Sequence, residues 1–357
     1  MLSEGTTTKT ALELADALDY YGAYFQTRGS SDDATASLYC LEKHLKKCLP
    51  LFIEAIVDSI FPEKELDIIK RNSIQKLIVN EKKNSYLLRK NFYQNLLGIN
   101  HPYAFFSEKV DIENISVSDL KLFYQNNYLE GLKYLLLSGK FSNETLYFIQ
   151  ESISASILQN RLTNSLIPAI TSSFGNHFIE KKDAVQCAIR IGKLSILRSH
   201  PDFRKLQLLN LIFGGYFGSR LMKNIREEKG LTYGIYAALE TYKNASVWYI
   251  DTEMNNKNRQ SGVDEIYKEM KLLGTQLIGK EELEIAKNFL LGSFLRSLDG
   301  PFSLADRFKI LIDNNLSKEY YTEFVKIINQ ISSEELLEIA NIYLKQDKLV
   351  EVIVGKS

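Results

Sequence analysis

The apolar and polar positions of this chain alternate between two periods, and the switches between them mark out its elements. From Thr232 to Tyr242 and from Ala245 to Glu253, apolar, aromatic and β-branched residues follow one another at strand period, separated by a short turn at Lys243 and Asn244. The spacing then becomes helical and predicts long helices over Gly262–Leu273 and Lys280–Ser297, and Gly300-Pro301 breaks the run. Ala184 to Ile196 reads as a further strand. Two short apolar runs, Leu132–Leu137 and Leu349–Val354, are also of strand length.

The same order of periods occurs twice. Ile115–Lys140 aligns without gaps to Ile331–Lys356. Each segment opens on a capping box, Ser116 with Asp119 and Ser332 with Glu335, continues through an amphipathic helix, and closes on an apolar strand ending in Gly-Lys. Upstream, Lys64–Arg71 matches Glu281–Asn288, and the sequence around Gly22 answers that around Gly230: a helix end, a glycine and an aromatic strand. The chain therefore reads as two copies of one unit, each with a helix, two adjacent strands, a pair of long helices, a further helix and a last strand. Strands covered by helices on one sheet face place it in the α+β class. The boundaries fall at a first repeat over 1–160, a Ser-, Thr-, Gly- and Pro-bearing linker over 161–183, and a second repeat over 184–357. The second copy opens on a strand and the first on a helix, so the first is expected to lack its N-terminal strands.

Composition removes several functions. Lys plus Arg and Asp plus Glu number 44 each, so no net field draws the chain to nucleic acid or to an anionic membrane. No apolar run approaches bilayer length, and no leader pattern is expected. Cys40, Cys48 and Cys187 are scattered, and His44, His101, His177 and His200 form no i, i+4 pair, so no metal site is legible. Abundant Lys, Asn and Ile point to an AT-rich bacterial source, and composition does not choose between cytoplasm and periplasm.

The candidate chemistry lies between Gly214 and Tyr236. Gly214, Gly215 and Gly218 are expected to let the backbone turn tightly, and a short amphipathic helix follows. Gly230 suits the left-handed position past a helix end. Arg226 in the last turn and Tyr233 early in the next strand can then converge, offering a guanidinium and a phenol to a peptide carbonyl or an oxyanion. The plainer reading is a cation at the negative helix end and a packed strand tyrosine. A phosphate-binding loop is excluded, because no Lys-Ser/Thr follows at the required spacing.

The duplicated unit, with G-G-x-x-x-S-R-L-x-x-x-I-R-E-x-x-G-L-x-Y in its second copy, resembles the M16 peptidase family, the pitrilysin, insulin-degrading and mitochondrial-processing peptidases, in its short two-repeat form. The resemblance implies the metallohydrolase fold of that family and a chamber for an unfolded peptide, closed by two clamshell halves. It also implies a zinc site in the first repeat, built from the histidines of H-x-x-E-H and a downstream glutamate. MLSEGTTTKTALELADALDYYGAYFQT resembles the segment after that motif, and the count from it lands on Lys76, with the supporting glutamate position at Ile69. A lysine and an isoleucine offer no carboxylate. Arg226 and Tyr233 match the family's substrate-clamping pair, whereas the first copy has Leu18 and Phe25 there.

The resemblance thus implies a non-catalytic subunit that binds no cofactor itself and supplies Arg226 and Tyr233 to a partner carrying H-x-x-E-H and zinc. The other reading is an inactive peptide-binding or structural scaffold, recovered alone as a monomer or homodimer.

Overall fold

Backbone amides and carbonyls in a folded chain need partners, and the two halves of this molecule satisfy them differently. The computed structural model describes residues 1–154 and 167–357. Two compact units result, one from residues 1–80 and 106–167, the other from 81–105 and 168–357.

In the first unit α1 (Ala11–Asp19) starts on a Thr10–Glu13 capping box and ends at Gly22, whose φ of 61° turns the chain into β1 (Tyr24–Gly29). β1 pairs antiparallel with β2 (Ala34–Tyr39). α2 (Leu45–Val57) buries Cys48 against Leu14 and Leu18, and its Phe52 meets Phe25 edge-on at 5.5 Å. α3 (Glu63–Glu81) follows. The next helix, α4 (Asn84–Leu97), is part of the second unit, and α5 (Lys109–Asn114), α6 (Val117–Tyr124) and α7 (Asn143–Ser154) return to the first.

Leu132–Leu137 is expected to be a strand but is not one, and Leu132, Leu135 and Leu137 are exposed. Its counterpart β7 (Val350–Gly355) lies between β3 (Gly175–Glu180) and β4 (Gln186–Ser195), bonded on both edges. Among the described residues the first unit has only the β1–β2 hairpin and nothing equivalent to β3 and β4, so this apolar segment has no ladder to join.

The second unit is built on a sheet of order β3-β7-β4-β6-β5, with β5 at Thr232–Thr241 and β6 at Ser246–Asn255. β3 runs parallel to β7 and the other neighbours are antiparallel. β3 falls within the stretch whose composition reads as linker; residues 161–166 of that stretch lie outside the described residues. Because the side chains of a strand alternate, Ile189, Ile191, Trp248 and Ile250 face one helical layer. That layer comprises α8 (Phe203–Asn210), α9 (Arg259–Thr275), α10 (Lys280–Arg296), α11 (Gly300–Asp313), α12 (Glu319–Gln330) and α13 (Ser333–Tyr343). Each large apolar side chain fully buried there contributes roughly 1.5–3 kcal/mol. Trp248 keeps its indole N–H satisfied by donating to Asn210 Oδ1 at 2.9 Å, and Asn210 in turn donates to the Ala237 carbonyl at 3.1 Å.

The opposite face carries Arg190, which pairs with Asp251 (Nε to Oδ2, 2.9 Å) and lies over the Tyr249 ring at 4.2 Å and Phe92 at 5.5 Å. α4 covers this face with Leu88, Phe92, Tyr93 and Leu96, all buried. The chain that leads into β3 satisfies the last carbonyls of α4: Ser173 N–H donates to Asn95 O at 2.7 Å, and Thr171 N–H to Leu97 O at 3.1 Å. A helix from the first-repeat sequence therefore completes the second unit.

Candidate substrate-binding corner and the missing zinc ligands

The corner between α8 and β5 is built from two wide helical turns. Leu211–Gly215 and Met222–Glu228 are π-helical, so the segment expected as a short α-helix is a wider turn. Such turns are uncommon and recur at functional sites. Gly230 takes the expected left-handed conformation, φ 61°, and its N–H donates to the Arg226 carbonyl at 3.2 Å while Leu231 N–H reaches Ile225 O at 3.0 Å. Gly218 sits in a tight turn closed by the Ser219 N–H donating to the Tyr216 carbonyl at 3.1 Å. Gly214, Gly215 and Gly218 all lack a positive φ. Gly214 instead permits close approach to β5, since a Cβ there would lie 2.6 Å from Ala237 N and 2.8 Å from Ala237 Cβ.

Tyr233 is set by a bulge. The β5–β6 register slips between Thr232 and Ile235, so Tyr233 and Gly234 stand out of the ladder. Two threonines hold the bulge: Gly234 N–H donates to Thr232 Oγ1 at 3.1 Å, and the Thr252 hydroxyl donates to Gly234 O at 2.9 Å. The Tyr233 side chain is consequently 90 % exposed. Arg226 Nε donates to the Tyr233 carbonyl at 3.0 Å, and its guanidinium carbon lies 4.8 Å from the centre of the exposed Phe217 ring. One guanidinium edge thus fixes the tyrosine backbone, and the other lies 3.8 Å from the Glu227 carboxylate. The two candidate residues are brought together through that carbonyl.

Beneath the turn lies a polar network that the sequence reading did not single out. Asn224 Nδ2 donates to Glu269 Oε1 at 2.7 Å and to Glu265 Oε2 at 3.0 Å, and Lys229 pairs with Glu265 at 3.2 Å. Arg220 grips Glu282 in a two-pronged pair at 2.8 Å on each arm. The Asn224 hydrogen bond, aided by Lys229 and Lys268, holds Glu265 below the usual carboxylate range, whereas burial pushes Glu269 above it. The one sequence cue to the bulge is Gly234 directly after Tyr233 inside a strand pattern.

The first-copy counterparts serve packing. Leu18 is buried and Phe25 packs on Phe52. On α3, Lys76 is exposed and Ile69 half-buried. Neither side chain can donate a carboxylate to zinc, and among the described residues no three His, Cys, Asp or Glu side chains gather in metal-binding geometry. These residues do not fit a zinc site.

Residues 114–290 match the model of the Peptidase M16 inactive domain. The chain belongs to the M16 peptidase family. This M16 chain is similar to an uncharacterized zinc protease of Rickettsia felis, 25% identical over 355 residues that cover 96% of this chain and 82% of that protein. It is likewise similar to the non-peptidase homolog YmxG of Helicobacter pylori, 25% identical over 300 residues, 82% of this chain and 68% of that one. Among solved structures, the M16 inactive domain from Pseudomonas fluorescens superposes with a TM-score of 0.89 at 24% identity, covering 100% of this chain and 87% of its own. That likeness establishes the α+β M16 fold. Among the described residues no helix of this M16 chain is long and apolar enough to cross a membrane.

Proposed function

We propose that this chain is a non-catalytic M16 subunit that presents Arg226 and Tyr233 to an unfolded peptide held at the zinc site of an H-x-x-E-H-bearing partner. The observation that carries the reading is the bulged corner. Thr232 and Thr252 turn an unburied tyrosine outward, and Arg226 is bonded to the carbonyl of that same residue. A strand tyrosine kept for packing would be at least half-buried. In the proposed role the second guanidinium edge of Arg226, which lies 3.8 Å from the Glu227 carboxylate, turns to hold a substrate carbonyl, and the Tyr233 hydroxyl donates to the oxyanion formed as water attacks the scissile bond. Lys76 and Ile69 leave the metal to the partner.

One observation favours the scaffold reading. The contacts of Arg226 with the Tyr233 carbonyl and the Phe217 ring are themselves structural, so the pair also serves to stiffen the corner.

The test is co-purification of the full-length chain with its native partner, followed by peptide cleavage with Arg226→Ala and Tyr233→Phe subunits. A fall of about 10²-fold or more in kcat for Tyr233→Phe, with assembly unchanged, is expected for loss of an oxyanion donor. Undiminished cleavage by both variants would establish the scaffold instead.

A further inference from the structure

A cavity of ≈ 170 Å³ opens in the second unit where the residues after β4 meet α8, α10, α11 and α12. Arg198 and Arg307 line it together with Tyr320, Tyr321, Phe294 and Phe324, and among the described residues no acidic side chain does. Among the described residues neither arginine has a carboxylate within 4.0 Å; Arg198 donates to the Thr241 hydroxyl at 3.0 Å and lies over Phe203 at 5.2 Å. Neighbouring Arg204 shows the contrast. It stacks on Tyr320 at 4.3 Å and is neutralised by Glu323 at 3.0 Å.

Two further features concern the tyrosines that line the cavity. Tyr320 is only 5% exposed, yet its hydroxyl has no hydrogen-bond partner among the described residues. An orphaned buried hydroxyl is uncommon and costly unless a water or a ligand serves it. Tyr321 donates its hydroxyl to the Arg307 carbonyl at 2.8 Å. Burial pushes the Tyr321 phenol up, while Arg307 and Arg198 both pull it back, so the fields of both guanidinium groups reach one oxygen. Two guanidinium groups on one cavity, with no carboxylate in ion-pair range of either among the described residues, favour an anion there.

We propose that this cavity binds a small oxyanion, a carboxylate or a phosphate, between Arg198 and Arg307, with any apolar body of the ligand against Phe294 and Phe324. Guanidinium groups match both anions in planarity and donor spacing. The cavity, of ≈ 170 Å³, limits the occupant to a small molecule or to one acidic group with a single side chain. The anion has two candidate sources, the free end of a peptide and a free small molecule.

Calorimetric titration of the full-length chain at low salt distinguishes them. The probes are N-acetylphenylalanine, its carboxamide and inorganic phosphate, each against wild type, Arg307→Gln and Arg198→Gln. Saturable binding of the carboxylate, at least tenfold tighter than the amide and at least tenfold weakened in Arg307→Gln, supports the site and assigns it to chain ends. The same loss in Arg307→Gln with phosphate as the tighter probe supports the site and assigns it to free anions. Arg307 makes no ion pair among the described residues, so its variant is expected to fold with an unchanged melting temperature even where Arg198→Gln does not. Absence of saturable binding for both anions, or equal affinity in wild type and Arg307→Gln, overturns the proposal.

Discussion

Arg226 Nε donates to the main-chain oxygen of Tyr233 at 3.0 Å, so the position of the phenol depends on a guanidinium seven residues earlier. The bond spans the end of a π-helical turn and the start of a bulged strand, two irregular backbones that hold each other in register.

Arg226→Lys tests whether the fork or the charge matters. Lysine keeps the cation but cannot bond the Tyr233 carbonyl and offer a second planar edge at once. The lost bond is partly exposed and is expected to cost about 1 kcal/mol or less, read as a small shift in the urea midpoint. In the proposed complex with an H-x-x-E-H subunit, cleavage is expected to fall by about tenfold or more. A lysine variant with wild-type cleavage would show that charge alone suffices.

Gly214→Ala places a methyl group against the Ala237 backbone, which cannot yield as a side-chain tip would. The expected loss is about 1–3 kcal/mol from overpacking. Equilibrium unfolding in urea measures it, and a neutral result would mean that the turn and β5 separate freely.

Phe92→Ala tests the docking of α4 on the second unit's sheet. Phe92 is fully buried and forms part of the aromatic surface around Arg190. Its removal is expected to cost about 3–5 kcal/mol. Hydrogen exchange should then show α4 amides opening ahead of those of β4 and β6. Simultaneous exchange of all three would contradict a separately docked helix.

Glu351 gives a pH signature. It is buried on the helical side of the sheet and accepts from the Tyr267 hydroxyl at 2.8 Å. Burial holds its carboxyl above the usual range, aided by Asp264 and opposed by the Tyr267 hydrogen bond. An unfolded chain releases this proton at the ordinary glutamate value, whereas the folded chain keeps it to higher pH. Between those two values folding takes up a proton, so this group makes stability fall as pH rises through the window and leaves it level above. Glu269, raised by burial in the same unit, contributes with the same sign. Glu351→Gln resembles the protonated form and should flatten that part of the slope, raising stability relative to wild type most above the window. Urea midpoints across about pH 4 to 8 check it, and parallel curves for the two proteins would refute it.

Much of the fold was legible because it is local. Ser332 and Glu335 announce the start of α13, and Gly230 marks a helix end through a conformation that favours glycine. The repeat exposed the order of elements, and the spacing of Arg226 and Tyr233 pointed to their convergence. The bulge was less visible, because Thr232 and Thr252 look like ordinary strand residues until β6 is laid beside β5. The network of Asn224, Glu269, Arg220 and Glu282 joins residues some forty to sixty positions apart, a pairing no periodicity encodes.

By itself the sequence determined where helices and strands can form, which copy kept a polar pair, and that Lys76 and Ile69 offer zinc no carboxylate. Tertiary structure decided the rest. It made a strand of Val350–Gly355 and left the equally apolar Leu132–Leu137 outside any strand. It assigned α4 to the second unit, turned Tyr233 out of the ladder, and gathered Arg198 and Arg307 on one cavity. The physical reason is common to all four: a strand, a docked helix face, a bulge and a binding cavity are each completed by partners distant in the chain, and local patterning specifies the surface that must be covered without specifying what covers it.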